Sequence, residues 1–381
     1  MPPLTTLVVY EADSGKILSI SEGGSISKRT HLRRYAPDRP LSDLKFFFIE
    51  KDSAIDMAND RVKLIARGQP PLIIDKFGNS KLFLAFITSQ SKYISLHSNL
   101  HVELEYGMGD QVMGWEAIRA FSRVFPEKTI SVSTHPPFLK TVFYFSPPFH
   151  LLPIGNTPSH KKTAFVKLNP RHRLWDPRGR AFGKASFYGA HLGLDSVTET
   201  INFSIPPEIA QNYALQGGVD IQKITHPLLS LHVHSASRTS SHWSPEAALV
   251  LASFWHKQTG GDVFLIGDPS FWRIQNPYLL STQKGSDWLS TASILLTSEL
   301  FIGIDSGPMH LARAAAIPSF IIWGGSGPQD ILGRSPNNFD IRANLPCIEN
   351  LCAACIHGKP LCMQMIGPEI VWDKVLKYFF N

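Results

Sequence analysis

The feature that most constrains this chain is a short hydrophobic run, Phe301-Ile302-Gly303-Ile304, that passes straight into Asp305-Ser306-Gly307-Pro308-Met309-His310-Leu311-Ala312. The run reads as a buried strand. Proline is tolerated only in the first turn of a helix, so Pro308 requires the helix to start at Ser306 or Gly307. The first N–H groups of such a helix have no partner, and its positive dipole end points at the strand's carboxyl end. That corner suits an anion, most simply a phosphate. Asp305 can accept hydrogen bonds from sugar hydroxyls, and His310, one turn along, is within reach of the same phosphate. An ordinary capped strand-to-helix turn has the same pattern, so the physics alone leaves both readings open.

The surrounding chain repeats the alternation. Leu229–His234 reads as a strand, and Ser244 caps a helix that runs from Pro245 to His256. Val263–Gly267 is the next strand, Trp288–Thr297 a helix, Leu300–Ile304 a strand, Pro308–Ala316 a helix and Ser319–Trp323 a strand. An earlier unit has the strand Val102–Tyr106, a turn at Gly107-Met108-Gly109-Asp110 and a helix over Val112–Phe125. Pro126 ends that helix, and Thr129–Ser133 is the following strand. Phe143–Phe145, Leu151–Ile154 and Phe165–Lys167 read as further strands, with helices over Phe182–Leu192 and Ile205–Leu215. Two α/β domains in series imply a cleft, with ligands at the carboxyl ends of the strands.

The first 100 residues differ in texture. Leu4–Tyr10 and Lys16–Ser21 flank Asp13-Ser14-Gly15 as a hairpin. Leu44–Glu50, Val62–Ala66, Leu72–Lys76 and Leu82–Thr88 read as strands, and Gly78-Asn79-Ser80 as a turn. This spacing predicts a small barrel or sandwich. The expected organisation is therefore a β-rich domain over 1–100 and Rossmann-like α/β domains over 101–226 and 227–381.

Hydrophobic residues form 43% of the 381 and charged residues 18%, which excludes disorder over most of the chain. Lysine and arginine outnumber acids by 37 to 31, a net charge of +6. That suits an anionic ligand such as a nucleotide, and without a dense basic stripe it argues against nucleic acid. No apolar stretch approaches the roughly 20 residues of a membrane span. The N-terminus lacks a basic segment and reaches Glu11 quickly, so no signal peptide and a cytoplasmic location are expected.

All four cysteines fall in one stretch, Cys347, Cys352, Cys355 and Cys362. Four close thiolates in a reducing compartment suit a closed tetrahedral metal site, a finger over 347–362. Zinc is the default from chemistry, and iron in an all-thiolate cage is the alternative. A closed site of this kind leaves no open position for catalysis.

The Asp305-Ser306-Gly307-Pro308-Met309-His310-Leu311-Ala312 segment strongly resembles the glycosyltransferases that include the ADP-heptose:lipopolysaccharide heptosyltransferases. Pro318–Gly327 resembles that family's next strand and Gly-rich loop. Gly107-Met108-Gly109-Asp110, with the helix and Phe125-Pro126 after it, resembles its N-terminal Gly-x-Gly-Asp element. Leu231–Trp243 resembles the start of its second domain, with Arg238 and Trp243 in place, but the family's usual lysine is absent from Arg238–Trp243. Arg238 or His242 would supply the positive charge instead.

The resemblance covers roughly residues 101–381 and implies a GT-B fold of two facing Rossmann-like domains. It implies Asp110 as general base, with Gly107 and Gly109 letting the backbone pass close to the sugar. Asp305 would hold donor-sugar hydroxyls, and Arg238, Ser306, Gly307, Met309 and His310 would bind the nucleotide-sugar. The β-rich start and late cysteine cluster are similar to the autotransporter heptosyltransferases within this group. That likeness implies iron on the cysteines, adhesin serines as acceptors, and a large ring-shaped homo-oligomer. A lipopolysaccharide acceptor, another nucleotide sugar, or a non-catalytic partner-binding role are the alternatives.

Other features read as structural. His232 and His234 alternate along a strand with no third ligand nearby. Arg171-His172-Arg173 and Arg178-Gly179-Arg180 flank Trp175-Asp176-Pro177 as a basic loop. Trp323 reads equally as core or as a neighbour of the nucleotide, and Ile370–Phe380 as a helix packing back on the body.

Overall fold

The computed structural model describes the backbone of residues 5–11, 17–22, 44–50, 54–56, 62–65, 72–74 and 80–86. It describes residues 87–146, 149–156, 162–168, 183–198, 200–235, 241–267, 276–281, 287–327, 338–345, 355 and 359–380 in full.

In the N-terminal part, β1 (Thr5–Glu11) pairs antiparallel with β2 (Ile17–Glu22), as the hairpin signal predicts, and with β3 (Leu44–Glu50). A second antiparallel sheet is formed by β4 (Ala54–Asp56), β5 (Val62–Ile65) and β6 (Leu72–Ile74). The expected strand at Leu82–Thr88 is instead part of helix α1 (Ser80–Ser95). A short apolar run does not separate strand from helix, whereas the spacing of three and four between buried Ile87, Gln90 and Ile94 does. This helix packs on the α/β body. Ile94 joins its core, and Lys128 Nζ donates to the carbonyls of Ile94 (3.2 Å) and His97 (2.6 Å). Gly193, at φ +78°, lies so close to α1 that a Cβ would stand 2.6 Å from the Ser91 backbone.

The first α/β half contains β7 (Asn99–Leu104), α2 (Met108–Val124), β8 (Thr129–Thr134), α3 (Pro136–Val142), β9 (Phe145–Ser146), β10 (His150–Pro153), β11 (Thr163–Leu168), α4 (Gly183–His191), β12 (Asn202–Phe203) and α5 (Pro207–Gln216). The expected turn at Gly107–Asp110 is the start of α2, with Gly107 as N-cap. The strand expected at Phe143 begins only at Phe145, because Phe143 caps α3. The main sheet is parallel in the order β10-β8-β7-β11, while β9 and β12 form a small antiparallel pair.

The second half contains β13 (Leu228–His232), α6 (Pro245–Thr259), β14 (Asp262–Ile266), β15 (Leu279–Ser281), α7 (Trp288–Leu295), β16 (Leu300–Ile304), α8 (Gly307–Ala314), β17 (Ser319–Trp323), β18 (Asn338–Arg342), α9 (Leu361–Gln364) and α10 (Pro368–Val375). Ser244 caps α6, its side chain accepting from the Ala247 N–H at 3.1 Å. The six strands are parallel in the order β15-β14-β13-β16-β17-β18, the doubly wound Rossmann order. Every residue of β13, β16 and β17 is buried, as a sheet covered on both faces requires.

One core runs through both halves. Val112, Trp115, Ile118 and Phe121 of α2 belong to the same apolar cluster as Met309, Leu311 and Ala312 of α8. A second cluster lies on the other face of the β13–β18 sheet, under α6 and α10. The C-terminal stretch packs back as expected, with Phe379 and Phe380 ring centroids about 6 Å from Trp255.

Candidate active site

Each parallel sheet reverses its strand order once, between β7 and β11 in the first half and between β13 and β16 in the second. Ligands of open α/β sheets bind outside the carboxyl ends of the strands at this reversal. Asp305 directly follows β16, and Asp110 lies in the first turn of the helix that follows β7. The two carboxylates singled out in the sequence therefore stand at the two switch points.

Helices α2 and α8 bring these points together. A Cβ on Gly307 would meet Met108 Cβ at 3.2 Å, and one on Gly109 would meet His310 Cδ2 at 2.5 Å. Further along, Arg313 Nη2 reaches both Glu116 carboxylate oxygens at 2.8 Å. Contacts in the same order along both helices mean that they run parallel, with their N-termini at one end. Neither N-terminus is closed by a side-chain cap: Gly107 has no side chain, and Ser306 Oγ donates instead to the Ile304 carbonyl at 3.1 Å. Two aligned positive ends with uncapped N–H groups create a strong local demand for negative charge.

Asp110 meets part of that demand as the third residue of α2. Its Oδ1 accepts from Lys184 Nζ and, at 2.7 Å, from Tyr188 Oη. Both donors lie on one face of α4, four residues apart. Asp305 is buried, and its Oδ2 accepts from Ser326 Oγ at 2.6 Å. His310 is buried against Gly109, so the glycine is required there by close approach rather than by φ. Ser306 and Gly307 are half-buried at the start of α8. Met309 is wholly buried in the shared core and faces away from this corner's solvent.

Glu116 and Arg313 form the buried ion pair behind the site, with side chains 2% and 7% exposed. Burial pushes the Glu116 carboxyl above the usual carboxylate range, and the Arg313 guanidinium and the Ile201 N–H oppose that rise. Sequence reasoning missed this pair along with Lys184, Tyr188 and Ser326. Ser326 lies in a Gly-rich loop that the sequence does single out. Lys184 and Tyr188 share one helical face by spacing, but only the tertiary structure reveals what that face meets.

Other residues have structural partners. His232 is buried, hydrogen-bonded to the Ile266 carbonyl at 3.0 Å, and burial lowers its pKa to about 4. His242 bonds the Ser235 carbonyl at 2.7 Å and packs against the His234 ring, with centroids 4.1 Å apart and the planes tilted by 40°. Trp243 donates to the Ile366 carbonyl and Trp323 to Asp340, each at 2.7 Å, which gives both core positions. Arg238, Cys347, Cys352 and the basic loop around Trp175 lie outside the described residues. Of the other two cysteines, Cys355 is half-buried with Sγ 2.7 Å from the Lys359 carbonyl, and Cys362 is buried. Among the described residues no three His, Cys, Asp or Glu side chains gather as a metal site. No described helix is long and apolar enough to cross a membrane.

No protein-family model matches this sequence, and no curated protein matches it at a significant level. Solved structures do. An iron-containing dodecameric glycosyltransferase, TibC, from enterotoxigenic E. coli is similar over 99% of this chain and 92% of its own, at 13% identity and a TM-score of 0.58. The E. coli ADP-heptose lipopolysaccharide heptosyltransferase II is similar over 74% of this chain and 98% of its own, at 12% identity and a TM-score of 0.57. A family 9 glycosyl transferase from Veillonella parvula covers 66% of this chain and 88% of its own, at 16% identity and a TM-score of 0.53. With its two parallel switch-point sheets, the chain has the α/β fold of these bacterial glycosyltransferases, the GT-B arrangement expected from the Asp305 motif.

Proposed function

We propose that this chain is an inverting glycosyltransferase that moves heptose from ADP-heptose to a hydroxyl acceptor, with adhesin serines as the acceptor. The observation that carries the reading is the pair of parallel, uncapped helix N-termini, with Asp110 on one and Asp305 beside the other. A diphosphate placed there meets free N–H groups and two positive dipole ends. Asp110 takes the proton of the acceptor hydroxyl as its oxygen bonds to the anomeric carbon. The bond from that carbon to the diphosphate breaks on the opposite face, and its electron pair leaves with ADP. The first turn of α8, with Ser306, Gly307 and His310, stabilises the charge that develops on the leaving group. Asp305, oriented by Ser326, holds donor-sugar hydroxyls, and Arg238 serves as the phosphate clamp.

The protein acceptor rests on the β-rich start and the late cysteines, features that resemble autotransporter heptosyltransferases. It is supported by a likeness to TibC that spans 99% of the chain, N-terminal segment included. The structure of TibC with bound ADP-D-beta-D-heptose supports the donor, at 14% identity and a TM-score of 0.56. The same reading assigns the strands before α1 to a β-rich domain, Cys347, Cys352, Cys355 and Cys362 to one structural metal, and the chain to a large homo-oligomer in the cytoplasm. Iron is favoured by the likeness to iron-containing TibC, and zinc by thiolate chemistry alone.

The test is intact-mass spectrometry of a serine-rich adhesin fragment incubated with the protein and ADP-heptose. Mass added in heptose steps, lost in Asp110→Asn with donor binding retained, is the expected result. Transfer that survives Asp110→Asn removes Asp110 as base. An unmodified fragment with donor binding intact removes the protein acceptor. Elemental analysis is expected to find about one metal per chain, and a stable metal-free protein disposes of the finger.

A further inference from the structure

The donors around Asp110 are distributed unevenly. Lys184 Nζ and Tyr188 Oη both donate to Oδ1, while Oδ2 has no hydrogen-bond partner among the described residues. Lys184 and Asp110 are largely withdrawn from water, with side chains 14% and 20% exposed, and Tyr188 is fully buried. The two donors come from successive turns of α4, which packs directly on α2, and the ammonium lies 5.9 Å from the Tyr188 ring. Aromatic packing fixes Tyr188: its ring lies 6.0 Å from that of Phe187, which is itself buried. A carboxylate held twice through one oxygen has a fixed plane, and its second oxygen points in one direction.

We propose that Lys184 and Tyr188 are positioning residues that clamp Asp110 through Oδ1 and present Oδ2 as the single oxygen that receives the acceptor proton. The inference rests on the reading of Asp110 as general base and adds how that base is aimed. It assigns Lys184 and Tyr188 a role that acts through Asp110 rather than directly on donor or acceptor. The clamp acts on the transfer step, because a proton acceptor must lie on the line of the hydroxyl proton when the oxygen attacks. It leaves the donor pocket at the start of α8 unchanged.

The experiment measures kcat on the serine-rich fragment and, separately, the Kd for ADP-heptose by calorimetry. The proteins compared are wild type, Asp110→Asn, Lys184→Met, Lys184→Arg and Tyr188→Phe. Lys184→Met and Tyr188→Phe are each expected to lower kcat by about 10- to 100-fold, the cost of a misaimed reactive group. Donor Kd should stay within about twofold, because no ground-state contact to the donor is lost. Lys184→Arg should recover most of the rate by restoring the cation. Tyr188→Phe keeps the buried ring, so it remains readable if Lys184→Met folds poorly. Wild-type kcat in both variants, alongside a dead Asp110→Asn, overturns the clamp and leaves the base intact. A donor Kd that rises in step with the lost rate also overturns it, since Lys184 is then a donor ligand. No transfer by the wild type overturns the proposed function itself.

Discussion

Breaking the buried Glu116–Arg313 pair is the sharpest test of how the two halves are joined. Arg313→Met leaves Glu116 with the Ile201 N–H as a partner but no cation, in a site where its side chain is only 2% exposed. Removing one member of a buried pair typically costs about 3–5 kcal/mol, because the remaining charge stays desolvated. At about 2–4 °C per kcal/mol for larger domains, the melting temperature should fall by about 10 °C. The double variant Glu116→Met/Arg313→Met replaces the pair with apolar side chains of similar length. They would lie beside Val112, Trp115 and Leu311, which already form one core, so the double variant should melt within a few degrees of wild type or above it. The assay is thermal unfolding followed by circular dichroism on all four members of the cycle. A single variant that loses less than about 1 kcal/mol, the value of an exposed pair, would refute the argument that this contact is buried between α2 and α8.

Three further outcomes follow from the site and its surroundings. Burial lowers the pKa of His101 and of His232 from 6.5 to about 4. The folded state thus binds fewer protons than the unfolded one, so stability is full above about pH 6.5 and declines as pH falls toward 4, by on the order of 3 kcal/mol for each histidine; His232→Gln should flatten that decline in denaturant titrations. Gly109→Ala places a Cβ 2.5 Å from the ring of a His310 that is itself buried; it should cost about 1–3 kcal/mol by overpacking and weaken ADP-heptose binding, read by melting and calorimetry. Ser326→Ala removes the 2.6 Å bond to Asp305 and should raise the ADP-heptose Kd about tenfold, the worth of about 1.4 kcal/mol; an unchanged Kd would remove Ser326 as the residue that orients Asp305 for the donor.

Local rules made much of this protein legible from its residues. Pro308 after a hydrophobic run forces a helix start wherever the chain lies in space, and α8 begins at Gly307. Ser244-Pro245 likewise sets the start of α6. The order of strands and helices follows from periodicity, and so does the placing of Asp110 and Asp305 at strand-to-helix junctions. The failures have physical causes too. Leu82–Thr88 is apolar enough for either element, and its helical burial at Ile87, Gln90 and Ile94 is set by packing on the α/β body. Met309 sits in a motif that suggests ligand contact, and its side chain is packed in the core, which leaves its backbone in the first turn of α8 as the part that could serve a ligand.

Tertiary structure alone decided what converges. No spacing rule links Asp110 to Lys184 or Tyr188, Asp305 to Ser326, or Glu116 to Arg313, because those residues are distant in the chain and meet only through space, the first two sets each within one half and the last across both. The parallel alignment of α2 and α8 is likewise invisible in one dimension, since it depends on two sheets presenting their switch points to each other. Sequence determined that an anion-ready corner exists after Asp305 and that a second strand-to-helix junction carries Asp110, because capping and dipole physics act over a few residues. Their fusion into one site depended on the shared core, which acts over the whole chain.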